Sequence, residues 1–245
     1  MIPVDFNLIE INSYVLFIKQ AEIYLILHPY YLDQKQLDIT SFDQQKKCIH
    51  IYQDQWFNQK DIIVSRIKNL LGLSQKIAAR LCTFEKITKP NAASFFAENH
   101  LLGPCHVSNN YGLVYKGNLV LVASFSKSRV MIDGQVYYRS YELVRLASLK
   151  NFIVVGGMHK ILQNFIKLKN VVHLMTYIDL NFGDGKSFEK FGFKKIGSAQ
   201  LQGFYLNPIK QERITVKNYQ LIDTLKTELI HIEEYSTQKM ILDLR

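Results

Sequence analysis

The stretch from Tyr141 to Lys195, YELVRLASLKNFIVVGGMHKILQNFIKLKNVVHLMTYIDLNFGDGKSFEKFGFKK, constrains the fold more than any other part of this chain. It reads as a strand, a glycine pair, an amphipathic helix, a second strand ending in Tyr177-Ile178-Asp179, a short helix and a closing Gly192-Phe193. Ile161, Leu162, Phe165 and Ile166 fall on one helical face, which must be buried against a sheet. Strands and helices in this order predict an α/β fold. The pair Gly156-Gly157, set between strand and helix, leaves backbone N–H groups at the positive end of the helix dipole, a place to hold a phosphate or pyrophosphate. Lys160, one turn on, supplies a counter-charge. The same pair also suits a tight strand-to-helix turn that needs positive φ.

The rest of the chain reads around this segment. Residues 12–30 alternate apolar and polar groups about the break KQAE, as a hairpin does, and Cys48 to Tyr52 is a further short strand. From Asp54 onward Ile62, Ile63, Ile67, Leu70 and Leu71 repeat at helical spacing, and Gly72 fits a C-terminal cap. Residues 74–80 are the expected linker. Beyond it come a strand over Leu81–Ile87, a helix opened by Pro90 and closed by Gly103, and a hairpin over Tyr111–Ser126 with Lys116-Gly117-Asn118 in its turn. A strand over 141–149, a helix over 155–168, a strand over 171–178 and a short helix over 185–191 follow. Residues 194–205 are expected to form the final strand pair, and 210–245 to add a strand and a helix with Leu221, Leu225 and Ile230 among their apolar positions. The expected domains are therefore 1–75, a small α+β region; 76–209, the α/β domain; and 210–245, a C-terminal extension.

Charge follows the same division. Residues 1–75 carry 7 Lys/Arg against 8 Asp/Glu, residues 76–209 carry 17 against 7, and residues 210–245 carry 6 of each. The excess sits on the segment with the glycine pair and attracts polyanions, either nucleic acid or an anionic cofactor. A solvated basic surface would look the same. Three widely spaced cysteines, Cys48, Cys82 and Cys105, offer no disulfide framework and suit a reducing compartment, so a cytoplasmic location is expected. No apolar run approaches the ~20 residues of a membrane span, so no membrane partner is expected. His100, Cys105 and His106 lie close together without a second ligand pair, too sparse a set to predict a metal.

Two further motifs carry candidate chemistry. In Tyr141-Glu142-Leu143-Val144-Arg145, strict alternation puts Tyr141, Leu143 and Arg145 on one face and Glu142 with Val144 on the other. Arg145 then offers a bidentate grip on a phosphate or carboxylate, or an edge salt bridge. In Thr176-Tyr177-Ile178-Asp179, Tyr177 and Asp179 face together at the carboxyl end of a strand, where open α/β folds place their chemistry. Asp179 suits a base and Tyr177 a proton donor, though Asp179 equally suits a turn cap.

The blocks NHLLG, YGLVYKGNLVLVASFS, YELVRLAS, VVGGMHKIL, MTYIDLNFGDG and FEKFGFKKIG resemble, over residues 81–209, the GNAT-like domain of phage and mobile-element proteins. Some of those are Hef-like homing endonucleases; others are Mom enzymes that modify DNA adenine. ELVR, with Glu142 and Arg145, and TYID, with Tyr177 and Asp179, fall where the Mom-like pattern has ELxR and SYAD. The resemblance implies an α/β fold with a mixed central sheet and flanking helices, and a transferase that uses acetyl-CoA or a related coenzyme A thioester on a nucleic-acid base. VVGGMHK departs from the usual Arg/Gln-x-x-Gly-x-Gly/Ala loop by lacking the second spaced small residue. The segment CIHIYQDQWFNQKDIIVSRIKNLLG is similar to the last strand and helix of a very-short-patch-repair-type endonuclease. Asp5, Glu10, Glu22, Asp33, Asp38 and Asp43 form no Asp followed by Glu-x-Lys, so this part reads as a degenerate remnant. The rival readings are a non-catalytic basic DNA-binding module and a homing-type endonuclease.

Overall fold

The computed structural model describes residues 8–12, 15–29, 46–197, 203–207, 210–215, 229–233 and 237–245. Its first strands are β1 (Leu8–Asn12), β2 (Val15–Ile18), β3 (Ile23–His28) and β4 (Lys47–Tyr52), followed by helix α1 (Gln53–Leu70), β5 (Gln75–Ala78), β6 (Thr83–Lys86) and α2 (Lys89–Asn99). Then come β7 (Asn109–Tyr115), β8 (Asn118–Phe125), β9 (Arg129–Asp133), β10 (Val136–Ser148), β11 (Phe152–Val155), α3 (Gly157–Lys169) and β12 (His173–Asp179). The chain closes with α4 (Lys186–Phe191), β13 (Lys194–Lys195), β14 (Gly203–Asn207), β15 (Glu212–Thr215), β16 (Ile230–Glu233) and β17 (Thr237–Asp243).

These elements divide between two compact units. One comprises residues 1–64, 179–182 and 200–236; the other comprises 65–178, 183–199 and 237–245. In the first, β1, β2 and β3 form an antiparallel meander and β4 joins β3 in parallel. A separate sheet runs β15-β14-β16. Arg213 pairs with the buried Asp54 through Nε and, at 3.1 Å, through Nη2, and its guanidinium lies 4.0 Å over the Phe204 ring. A buried carboxylate held by a fork of donors needs such a partner, because an unpaired one would lose its hydration without compensation.

The second unit is built on a mixed sheet in the order β13-β17-β12-β10-β8-β7-β6, with β9 added along β10. The fold is α/β, a mixed central sheet with flanking helices, and it runs through strand, glycine pair, helix, strand and short helix in the order the sequence predicts. One face of the sheet is closed by α3. There Leu113, Leu121, Phe125, Leu143 and Leu174 bury against Ile161, Leu162 and Phe165, and the Phe125 and Phe165 rings stack at 3.7 Å. The other face carries α2, whose Ala92, Phe95 and Phe96 pack on Val122 and Ala147. The Thr88 hydroxyl caps α2 by accepting from Asn91 N–H, and Pro90 occupies its first turn, where a missing N–H costs nothing.

Several expectations are corrected. Residues 74–80 are no linker: Gln75–Ala78 forms β5, which pairs in parallel with β11, a strand absent from the expected elements. A further hairpin over 129–139 joins the expected elements, with Asp133-Gly134 between alternating residues as its local signal. Lys194–Tyr205 is not a strand pair, since β13 joins β17 and β14 joins β15 and β16. The expected extension instead delivers β17 into the central sheet, next to β12. The predicted helix around Leu221 and Leu225 lies outside the described residues, as do Asp5, Asp33, Asp38 and Asp43.

Candidate functional site

The adjacent strands β10 and β12 run parallel but pair only from Ser140↔His173 to Leu143↔Thr176. Beyond that rung β10 continues to Ser148 and β12 to Asp179 without pairing to each other, so the sheet opens at their carboxyl ends. The Thr176 hydroxyl donates to Leu143 O at 3.0 Å and seals the point of divergence. From β10 the chain passes through β11 into α3, which therefore begins at the same end of the parallel pair.

Gly156 is the N-cap of α3, with φ 77° and ψ 4°, a left-handed conformation in which a side chain would be strained. No side chain caps the helix and its first turn holds no acidic residue, so the leading amides face outward without a competing acceptor from a cap. Gly157 is required for a different reason. A Cβ there would lie 2.9 Å from Leu121 and from Val154, so the helix approaches the sheet as closely as it does only because this residue has no side chain. Lys160 donates to the carbonyls of Ala79, at 3.0 Å, and Cys82. Its charge is thus anchored to the connection between β5 and β6.

On β10 the strict alternation expected from sequence fails. Between Leu143↔Phe125 and Arg145↔Ser124, two residues of β10 oppose one of β8, which is a β-bulge. The extra residue reverses the alternation, so Arg145 faces with Ala147 toward α2, away from Tyr141 and Leu143. Glu142 is on that same α2 face. The bulge thereby unites the two residues that alternation separates. Arg145 donates to Gly103 O at 3.4 Å and to Val144 O at 2.9 Å. Burial draws its pKa down from the usual guanidinium value, opposed by Cys105 and Glu142.

Tyr177 and Asp179 are both exposed and share one face of β12, as expected, with Tyr177 50% exposed. That face is the α2 face, because their rung-mates alternate with Leu174 and Ile178 in the α3-side core. Asp179 Oδ1 accepts the Asn181 N–H at 2.9 Å, the turn-capping bond that was the alternative reading of this residue.

Two contributors were not legible beforehand. Ser124, fully buried, donates to Asn110 Oδ1 and also hydrogen-bonds Cys105, whose thiol pKa burial pushes up. Ser126 accepts the Glu142 N–H at 2.9 Å and so ties the end of β8 to the candidate carboxylate's backbone. Only long-range strand pairing brings these together. His100 closes α2, accepts the Leu102 N–H on Nδ1 at 3.1 Å, and is held neutral, with burial as the main cause taking its pKa to about 3. Among the described residues no group of His, Cys, Asp or Glu is placed to hold a metal ion. No described helix is long and apolar enough to cross a membrane.

No family model matches this chain and no curated protein matches it. Among solved structures it is similar to the ribosomal-protein-S18-alanine N-acetyltransferase from Escherichia coli, at 13% identity over 66% of this chain and 94% of that one, with a TM-score of 0.43. It is similar to Naa50 from Arabidopsis thaliana in complex with a bisubstrate analogue, at 12% identity, 66% and 99% coverage and a TM-score of 0.39. A Bacillus subtilis acetyltransferase in complex with CoA matches at 17% identity, 56% and 77% coverage and a TM-score of 0.35.

Proposed function

We propose that this protein is a GNAT-like acyltransferase that moves an acyl group from acetyl-CoA or a related coenzyme A thioester to a nitrogen of a nucleic-acid base. The observation that carries this reading is the parting of two parallel strands at the end where an uncapped helix begins. That arrangement offers an anion site and an adjacent slot between strands, the two things an elongated diphosphate thioester needs. The amides at Gly156, Gly157 and the next residues take the donor's phosphates, and Lys160 adds positive charge one turn further along. The bound thioester supplies an acyl carbon already joined to a good leaving group.

The chain's own residues then handle position and protons. Arg145 on the α2 face orients an anionic group of the acceptor, with Glu142 beside it. Asp179 accepts the proton from the attacking nitrogen as the carbon–nitrogen bond forms and the carbon–sulfur bond breaks. Tyr177 donates a proton to the departing thiolate and is later reprotonated from solvent. The basic balance of residues 76–209 supports a polyanionic acceptor, and a cytoplasmic setting is consistent with the free cysteines Cys48, Cys82 and Cys105.

Thermal-shift titration with acetyl-CoA and free coenzyme A tests the donor site. Saturable stabilisation is expected, about 2.7 kcal/mol at a hundredfold excess over Kd. His159→Glu is the informative variant, because His159 is exposed and sits in the third position of α3. A carboxylate there favours the helix by ~0.3–1 kcal/mol while repelling a diphosphate. The variant gives up the edge-on contact of His159 with the Phe191 ring at 4.8 Å, offset by the favourable charge at the helix start, so it should stay folded and lose the coenzyme shift. A folded wild-type protein that shows no shift would remove the transferase reading and favour a basic DNA-binding module.

A further inference from the structure

A second concave site lies within the same unit, near the other end of β10. A cavity of about 360 Å³ is lined by Lys89, His106, Ser108, Ser126, Lys127 and Arg129. Three of these are cations, two are hydroxyls, and none is a carboxylate. Among the described residues none of Lys89, Lys127 and Arg129 forms an ion pair. Concentrating like charges around one hollow costs electrostatic free energy unless something anionic enters it.

Its position separates it from the donor site. Arg129 is the register partner of Ser140, and β10 runs on to Ser148 before turning toward α3. Eight residues of strand span roughly 26 Å. The cavity wall is nevertheless joined to the proposed chemistry, because Ser126 accepts the Glu142 N–H. The hairpin of β9 and β10 rises beside it with Val130, Ile132, Val136 and Tyr137 all more than half exposed. The only acid between Lys127 and Arg139 is Asp133, and Arg245 holds its carboxylate at 3.2 Å. The ribbon therefore presents Arg129, Arg139 and an open aromatic ring with its one negative charge already paired.

We propose that this cavity binds a backbone phosphate of the nucleic-acid acceptor, with the β9–β10 hairpin lying along the strand. The phosphodiester enters between Lys89, Lys127 and Arg129, and Ser108 donates to a phosphate oxygen. The exposed Tyr137 ring gives a neighbouring base a surface to stack on. This fixes the acceptor's register while leaving the base free to reach the opening between β10 and β12. The inference rests on the acyltransferase reading for its purpose but not for its binding chemistry.

Fluorescence anisotropy with a labelled single-stranded 12-mer, measured across a salt series, tests it against the double variant Lys127→Glu/Arg129→Glu. Both side chains are exposed, so the variant should melt as the wild type does. The expected result is at least tenfold weaker binding and a salt slope shallower by about 1.4, at ~0.7 per lost phosphate contact. The coenzyme thermal shift should be unchanged in the variant. Equal oligonucleotide affinity in wild type and variant overturns the proposal. So does loss of the coenzyme shift in the variant, which would assign the cavity to the donor. Stabilisation by inorganic phosphate without oligonucleotide binding also overturns it, in favour of a small phosphorylated ligand. If the wild type binds the 12-mer through these residues but shows no coenzyme shift, the cavity stands and the transferase reading falls.

Discussion

The two faces of the central sheet are unlike, and the contrast separates what folds the second unit from what equips it. The face under α3 is a continuous apolar layer in which Phe125, Phe165, Leu113 and Leu174 are fully buried. The face under α2 has a small apolar patch, Val122, Ala147, Ala92, Phe95 and Phe96, and then turns polar. There Ser124 bonds Asn110 and Cys105, Arg145 donates to the carbonyls of Gly103 and Val144, and Glu142 shares the face. Hydrophobic packing has no direction and tolerates exchange of similar volumes, whereas a polar cluster must match donors to acceptors. The first face holds the fold by packing; the second is where the proposed acyl transfer is placed.

The contrast is most directly broken by a pair of substitutions. Phe165→Ala should destabilise the protein by about 3–5 kcal/mol in urea denaturation, since a stacked and fully buried ring is lost. Arg145→Ala on the opposite face should cost less, about 1–3 kcal/mol, because it removes two part-buried hydrogen bonds to backbone carbonyls and no packed ring, yet it should abolish the proposed acyl transfer. Equal destabilisation by the two would show that the α2 face is structural as well.

A finer contrast lies in the glycine pair. Gly157→Ala forces a methyl group into Leu121 and Val154 and should cost about 1–3 kcal/mol. Gly156→Ala meets only Ala79, at 3.7 Å, and should cost about 1–2 kcal/mol, from its positive φ alone. Chemical denaturation of both variants reads this order, and a reversed order would mean that backbone strain outweighs packing at the head of α3.

The smallest effect is the pH response of three histidines. Burial lowers the pKa of His28 to about 4, and of His50 and His100 to about 3. His28 Nε2 and His50 Nδ1 share a hydrogen bond of 2.8 Å, and Lys47 and His28 add to the lowering at His50. Each group binds a proton more weakly folded than unfolded. Its contribution is therefore complete above the unfolded value near 6.5 and is lost as pH falls toward the folded value. Stability should drop by about 0.7 kcal/mol per histidine between about pH 7 and about pH 6. His100→Gln should remove its share, which a melting-temperature profile would show as a shallower acid limb; an unchanged limb would mean that His100 is already solvated.

Local pattern alone determined a good part of this protein. Alternation at 15–28 and 111–126, helical spacing over the expected helix 155–168, observed as 157–169, and the glycine signals at 72 and 156 each depend on residues a few positions apart and appear in the fold as a hairpin, a hairpin, a helix and positive-φ turns. The facing of Tyr177 with Asp179 follows from the same two-residue period. What only tertiary structure decided depends on partners far along the chain. A bulge is defined by the opposing strand, so the reversal that joins Arg145 to Glu142 was invisible in YELVR itself. The pairing of β5 with β11, the entry of β17 beside β12, and the tether from Lys160 to Ala79 and Cys82 arise likewise from residues some 65 to 80 positions apart. The basic cavity has the same origin, because Lys89 stands on α2 while Lys127 lies in the β8–β9 connection and Arg129 opens β9. Sequence spacing sets which side chains share a face; only folding sets which faces meet.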